Sequence, residues 1–119
     1  MRFTLLMSYS EAGGAALSPE DLEAGRVEFD RYAADLHTAG VLVAAEVLTP
    51  VSAAVTIRGG EVVAATDDAA EQLSGVFIVD VPDQNAVVEW AKRCPAAAWG
   101  TMVVRAGAVS FVDGAWRSS

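Results

Sequence analysis

Two segments of this chain carry complete helix punctuation, and the apolar runs around them are too short to be helices. Ser18-Pro19-Glu20-Asp21 opens the first segment. The serine caps, the proline fits the first turn, and two carboxylates sit at the positive helix end. Leu22, Phe29, Tyr32, Ala33 and Leu36 follow at helical spacing, and Gly40 closes the segment. Asp83, after Pro82, caps the second. Its apolar stripe is Val87, Trp90, Ala91 and Cys94, and Pro95 stops it. Phe3 to Tyr9, Val41 to Thr49, Ala53 to Arg58, Glu61 to Thr66, Val76 to Val81 and Thr101 to Arg105 read as strands. Gly59-Gly60 joins the third and fourth of these as a tight hairpin. Residues 10–17 and the acidic stretch Thr66 to Glu71 read as loops. Val109 to Val112, with a turn at Asp113-Gly114, adds a strand in the tail.

The resulting order, β-α-β-β-β-β-α-β, predicts an α+β fold of the ferredoxin-like type: an antiparallel sheet with two helices on one face. The other face is left bare. A second copy is the expected cover, giving a homodimeric α+β barrel with a cavity between two sheets. A length of 119 residues allows one core, and 53% apolar against 20% charged residues excludes a disordered chain. The expected division is a domain over residues 1–106 and a C-terminal extension over 107–119.

A net charge of −8, with no basic cluster beyond Lys92-Arg93, argues against nucleic acid and against an anionic membrane surface. No apolar run approaches the roughly 20 residues that span a bilayer. Met1 to Tyr9 lacks the basic leader and cleavage site of a signal peptide, so a cytoplasmic location is expected. Cys94 is the single cysteine and His37 the single histidine. Neither supports a disulfide or a metal cluster, and no cofactor is expected.

Several motifs carry a resemblance. Asp35-Leu36-His37-Thr38-Ala39-Gly40-Val41-Leu42-Val43-Ala44-Ala45-Glu46, with Leu48-Thr49-Pro50, is similar to a stretch of the YCII-related family in its DGPF branch. So are Thr66-Asp67, the run from Glu71 to Asp83, Glu89 to Ala97, and Gly100 to Arg105. The order and spacing agree over residues 1 to about 106. The resemblance implies a dimeric α+β barrel. Two features depart from the family pattern. Asp67-Asp68-Ala69-Ala70 stands where the branch has its Asp-Gly-Pro-Phe loop. The family's helix histidine aligns near Phe29 and its aspartate on Cys94, so the catalytic pair those groups form is absent.

Glu46 lies among apolar residues, and a carboxylate desolvated in a cavity suits general acid–base work. The alternative is a solvated or ion-paired edge residue. His37 closes the first helix, where an imidazolium complements the negative helix end; it is the second catalytic candidate. Trp99 and Trp116, near strand ends and outside the helical stripes, and Tyr9, at the end of the first strand, are candidates to line a pocket for a small apolar or aromatic ligand or to anchor the dimer. Arg58 and Arg105 are strand arginines able to hold a substrate carboxylate, or to form surface ion pairs. Cys94 reads as core packing. Asp67, Asp68 and Glu71 read as a solvated acidic loop without a cation-binding pattern.

Two functions remain open from the residues. One is a small-molecule-binding, cofactor-free enzyme doing isomerase, cyclase or lactone chemistry with Glu46 as its acid–base group. The other is a non-catalytic ligand-binding or interaction module that has lost the family's pair.

Overall fold

The first residues of the chain form a central strand of the sheet. In the computed structural model, which describes residues 1–64 and 68–118, Arg2–Tyr9 is β1. Phe3, Leu5 and Met7 are buried while their neighbours are half-buried, the period-two pattern of a strand packed hard on one face. After it come a short helix α1 (Glu11–Ala15), a long helix α2 (Pro19–Thr38), β2 (Leu42–Val47), β3 (Thr56–Arg58) and β4 (Glu61–Val63). Then follow β5 (Gln72–Asp80), α3 (Gln84–Arg93), β6 (Thr101–Ala106), β7 (Val109–Val112) and β8 (Ala115–Ser118).

Four strands form one sheet in the order β2-β5-β1-β6, and every neighbour pair is antiparallel. This is the ferredoxin-like α+β arrangement the punctuation predicts. Hairpins β3–β4 and β7–β8 stand outside that sheet as separate two-stranded units.

The register settles which side chains share a face, because directly paired residues point the same way. Leu5 pairs with Phe77, and Phe3 with Val79. These residues and Met7 form the helix side of the sheet, where Tyr32 and Leu36 of α2 and Val87 and Ala91 of α3 complete the core. Cys94 and Ala96, in the turn after α3, are buried with them. The opposite face carries Thr4, Leu6, Ala44, Glu46, Val76, Ile78, Val103 and Arg105 by the same register. No helix covers it.

Helix starts follow the expected chemistry. The Ser18 hydroxyl accepts from the Asp21 N–H, and the Asp83 carboxylate accepts from the Ala86 N–H. Gly40 turns the chain after α2 with φ 75°, a region that L side chains rarely enter. Residues 10–17 differ from the expected loop: they contain α1. Its two glycines disfavour a helix locally, and tertiary contacts override them. Ser10 caps Gly13, the Glu11 N–H donates to Gln72, and the Glu11 carboxylate accepts from the Val51 N–H. Leu22 also departs from the expected buried stripe and is 50% exposed. The buried residues of α2, Tyr32 and Leu36, lie in its second half, and its first turns are exposed. The first turns of α2 therefore overhang the core. Ala65 and Thr66 of the expected fourth strand, and Asp67 of the acidic loop, lie outside the described residues. Glu71 accepts a hydrogen bond from the Thr101 hydroxyl.

The contact between α2 and α3 has a pH consequence. The Tyr32 hydroxyl donates to the Trp90 carbonyl at 2.8 Å, and burial pushes its pKa up from 10.0. Burial also pushes the Cys94 thiol up from 9.0. Both groups are neutral when protonated and stay protonated to higher pH in the fold than in the unfolded chain. Above about pH 9 the unfolded chain binds fewer protons, so stability falls as pH rises, by up to about 1.4 kcal/mol per pH unit per group. Tyr32→Phe is expected to cost about 1 kcal/mol at neutral pH through the lost hydrogen bond and to flatten the alkaline slope. Urea midpoints at neutral and alkaline pH measure both; an unchanged slope would assign the alkaline loss to other groups.

Candidate functional site

The overhang of α2 creates a cleft. Its floor is Tyr9, at the end of β1, together with Phe29 of α2 and Trp99, which follows the turn Pro95–Ala98. The Tyr9 and Trp99 rings meet edge-to-face at 5.1 Å, and Phe29 meets Trp99 edge-to-face at 6.1 Å. Leu17 and Leu22 form apolar walls, and Gly13 and Gly14 of α1 line the far side. The volume is about 640 Å³, within the usual range of small-molecule sites.

Gly100 allows the floor to close. A Cβ built there would run into the Ser8 carbonyl oxygen and lie 3.1 Å from the Tyr9 Cβ. Its N–H donates to the Ala96 carbonyl at 2.7 Å. Only a residue without a side chain lets the Trp99 segment lie this close to the end of β1.

The rim is acidic. Asp21 and Glu28 line it, and Arg26 is the one cation among the described lining residues. That guanidinium is already engaged, at 2.6 Å from Glu23 and 4.0 Å from Asp30. The pair holds the Glu23 carboxyl below its ordinary pKa through the Arg26 hydrogen bond and charge. An incoming anion therefore meets two carboxylates and a guanidinium that already has partners.

The predicted site residues divide into groups. Tyr9 and Trp99 come together in the cleft. Glu46 is exposed on edge strand β2, on the open sheet face, opposite Val76. Arg105 lies on the same face, on the other edge strand, opposite Thr4. His37 is exposed in the last turn of α2. Arg58 is exposed beside the Gly59-Gly60 turn, paired in register with Glu61. Glu46, His37, Arg58 and Arg105 are all absent from the cleft lining.

Sequence reasoning placed Phe29 in the core stripe; it serves the cleft as well. Gly100 and Leu17 were missed. Only one signal pointed to Gly100, its position between a large aromatic and a strand. Among the described residues, no group of three or more His, Cys, Asp or Glu side chains is placed to hold a metal ion. No described helix is long and apolar enough to cross a membrane.

The YCII-related domain matches residues 1–106, most of the chain. The chain belongs to the YCII-related family. Within this family domain lie the whole four-stranded sheet, all three helices and the aromatic cleft. The hairpin β7–β8 lies beyond it. A comparison with curated proteins finds no match.

Proposed function

We propose that this YCII-related protein binds a small neutral aromatic or apolar molecule in the cleft over Tyr9, Phe29 and Trp99. The observation that carries this reading is the aromatic floor of a 640 Å³ cleft whose walls are apolar. Edge-to-face packing fixes the three rings before any ligand arrives, which lowers the ordering cost of binding. The acidic rim selects against anions by a few-fold, a preference that salt weakens because the carboxylates are exposed. The reading is one of binding. Glu46 and His37, the acid–base candidates, lie away from this cleft, and the lining offers no paired proton donor and acceptor oriented by a third group.

The open sheet face is a separate matter. Leu6, Val76, Ile78 and Val103 make it apolar at its centre. We propose that a second copy covers it, which would place Glu46 and Arg105 at the margins of a homodimer interface.

Indole, 2-naphthol and 2-naphthoate are suitable probes, followed by the three tryptophan side-chain N–H resonances. The neutral probes are expected to shift the Trp99 signal, with 2-naphthoate binding more weakly at low salt. Trp99→Ala is expected to weaken 2-naphthol about tenfold. An unmoved Trp99 resonance, or equal affinity in Trp99→Ala, would remove the cleft from consideration.

A further inference from the structure

We propose that the C-terminal hairpin β7–β8 is an arm that clasps a second copy of this chain, through the aromatic face formed by Val109, Phe111 and Trp116. The proposal rests on the reading that a second copy covers the open sheet face.

The hairpin has two unlike sides. Phe111 pairs with Trp116, and their rings meet edge-to-face at 5.2 Å. Val109 shares their side by the alternation of the strand. All three are more than half exposed, at 56% for Val109, 59% for Phe111 and 69% for Trp116. The other side carries Ser110, Val112 and Arg117, and these line a hollow with Arg2 and Asp80. Arg2 pairs with Asp80 and shares the open sheet face with Thr4 and Ile78. The arm is therefore rooted at the rim of that face, with its polar side against the body and its aromatic side free of it.

A two-stranded hairpin is marginal by itself in water. Asp113 and Gly114, with φ of 52° and 77°, give this one a tight turn, yet its large apolar side stays more than half exposed. The whole chain has a radius of gyration of 15.9 Å, against about 13.5 Å for a compact chain of this length.

Two observations favour a second copy over another partner. The first is charge. The open face carries Glu46 on edge strand β2 and Arg105 on edge strand β6. A two-fold axis along the strands sets each copy's Glu46 edge over the other's Arg105 edge, so the face complements itself. The second is area. Four strands of 6, 9, 8 and 6 residues, about 4.8 Å apart, offer roughly 460 Å² of flat surface. A stable interface takes about 800 Å² from each partner. The sheet face alone falls short, and two aromatic side chains of about 150–250 Å² each supply much of the remainder.

The test is the oligomeric state of the full chain and of a Phe111→Ser/Trp116→Ser variant, by sedimentation over a range of concentrations. Both residues are exposed in the single chain, so the variant is expected to fold, with circular dichroism as the check. The expected result is a wild-type dimer and a dimer Kd at least a hundredfold weaker in the variant. A wild-type dimer with unchanged Kd in the variant overturns the arm and leaves the face-to-face reading standing. A wild-type chain that stays monomeric at every concentration overturns both.

Discussion

Gly100→Ala is expected to destabilise the protein by about 3 kcal/mol and to open the aromatic cleft. The added methyl would collide with the Ser8 carbonyl, a backbone atom of a central strand, and would crowd the Tyr9 Cβ and the Ala96 carbonyl at 3.2 Å. None of these is the flexible tip of a side chain, so the Trp99 segment itself must move. Moving it parts Trp99 from Tyr9 and Phe29, and the floor of the cleft loses its shape. The φ of Gly100 is not in the left-handed region, so the effect is one of space and not of backbone conformation. Gly25 is the internal control. It lies inside α2, and a Cβ there meets nothing within 4 Å. Gly25→Ala is expected to stabilise by about 0.5–1 kcal/mol through the unfolded state. The same chemical change thus carries opposite signs at Gly25, which lines the cleft, and at Gly100, beside Trp99 of its floor, and urea midpoints of the two variants show it. Equal midpoints for Gly100→Ala and the parent would mean the turn gives way more easily than this packing implies.

Leu36→Ala is expected to cost about 3–4 kcal/mol. Leu36 is fully buried in α2, in one core with Leu5, Phe77 and Val79 of the sheet. Truncation removes its transfer energy and leaves a void that β1 and β5, the two central strands, cannot collapse to fill. Only Tyr32 and Leu36 are buried along the whole of α2, so the helix is held by few anchors. Losing one is expected to loosen the overhanging N-terminal turns too, and with them the wall of the cleft. Hydrogen exchange of α2 amides, compared with those of β5, reads this out. A loss of stability without faster exchange in α2 would show that the helix is held by more than its core stripe.

The punctuation of this chain was legible because it rests on local chemistry. Ser18 and Asp83 cap their helices wherever the chain lies, and the Asp113-Gly114 pair makes its turn by intrinsic conformational preference. The apolar run from Phe3 to Tyr9 and the motifs from Asp35 to Arg105 likewise sufficed for the first strand and for membership of the YCII-related family. Tyr9 and Trp99 were legible as pocket candidates because large aromatics at strand ends rarely pack into a core.

Glu46 reads in sequence like a desolvated carboxylate, since its neighbours along the chain are apolar. In the fold those neighbours divide between two faces, and Glu46 points from an edge strand onto the open one. No local pattern distinguishes the two cases, because burial depends on what packs above the sheet. α1 forms against its own glycines because Gln72 and Val51, far along the chain, supply partners for Glu11. Gly100 matters because β1 passes beside it. Sequence alone determined the two capped helices, the strands of the sheet in their chain order, and the family, because caps, turns, apolar runs and motifs are each set by residues close together in the chain. Tertiary structure alone decided where the cleft lies and which face stays open, because both depend on contacts between segments remote in the chain.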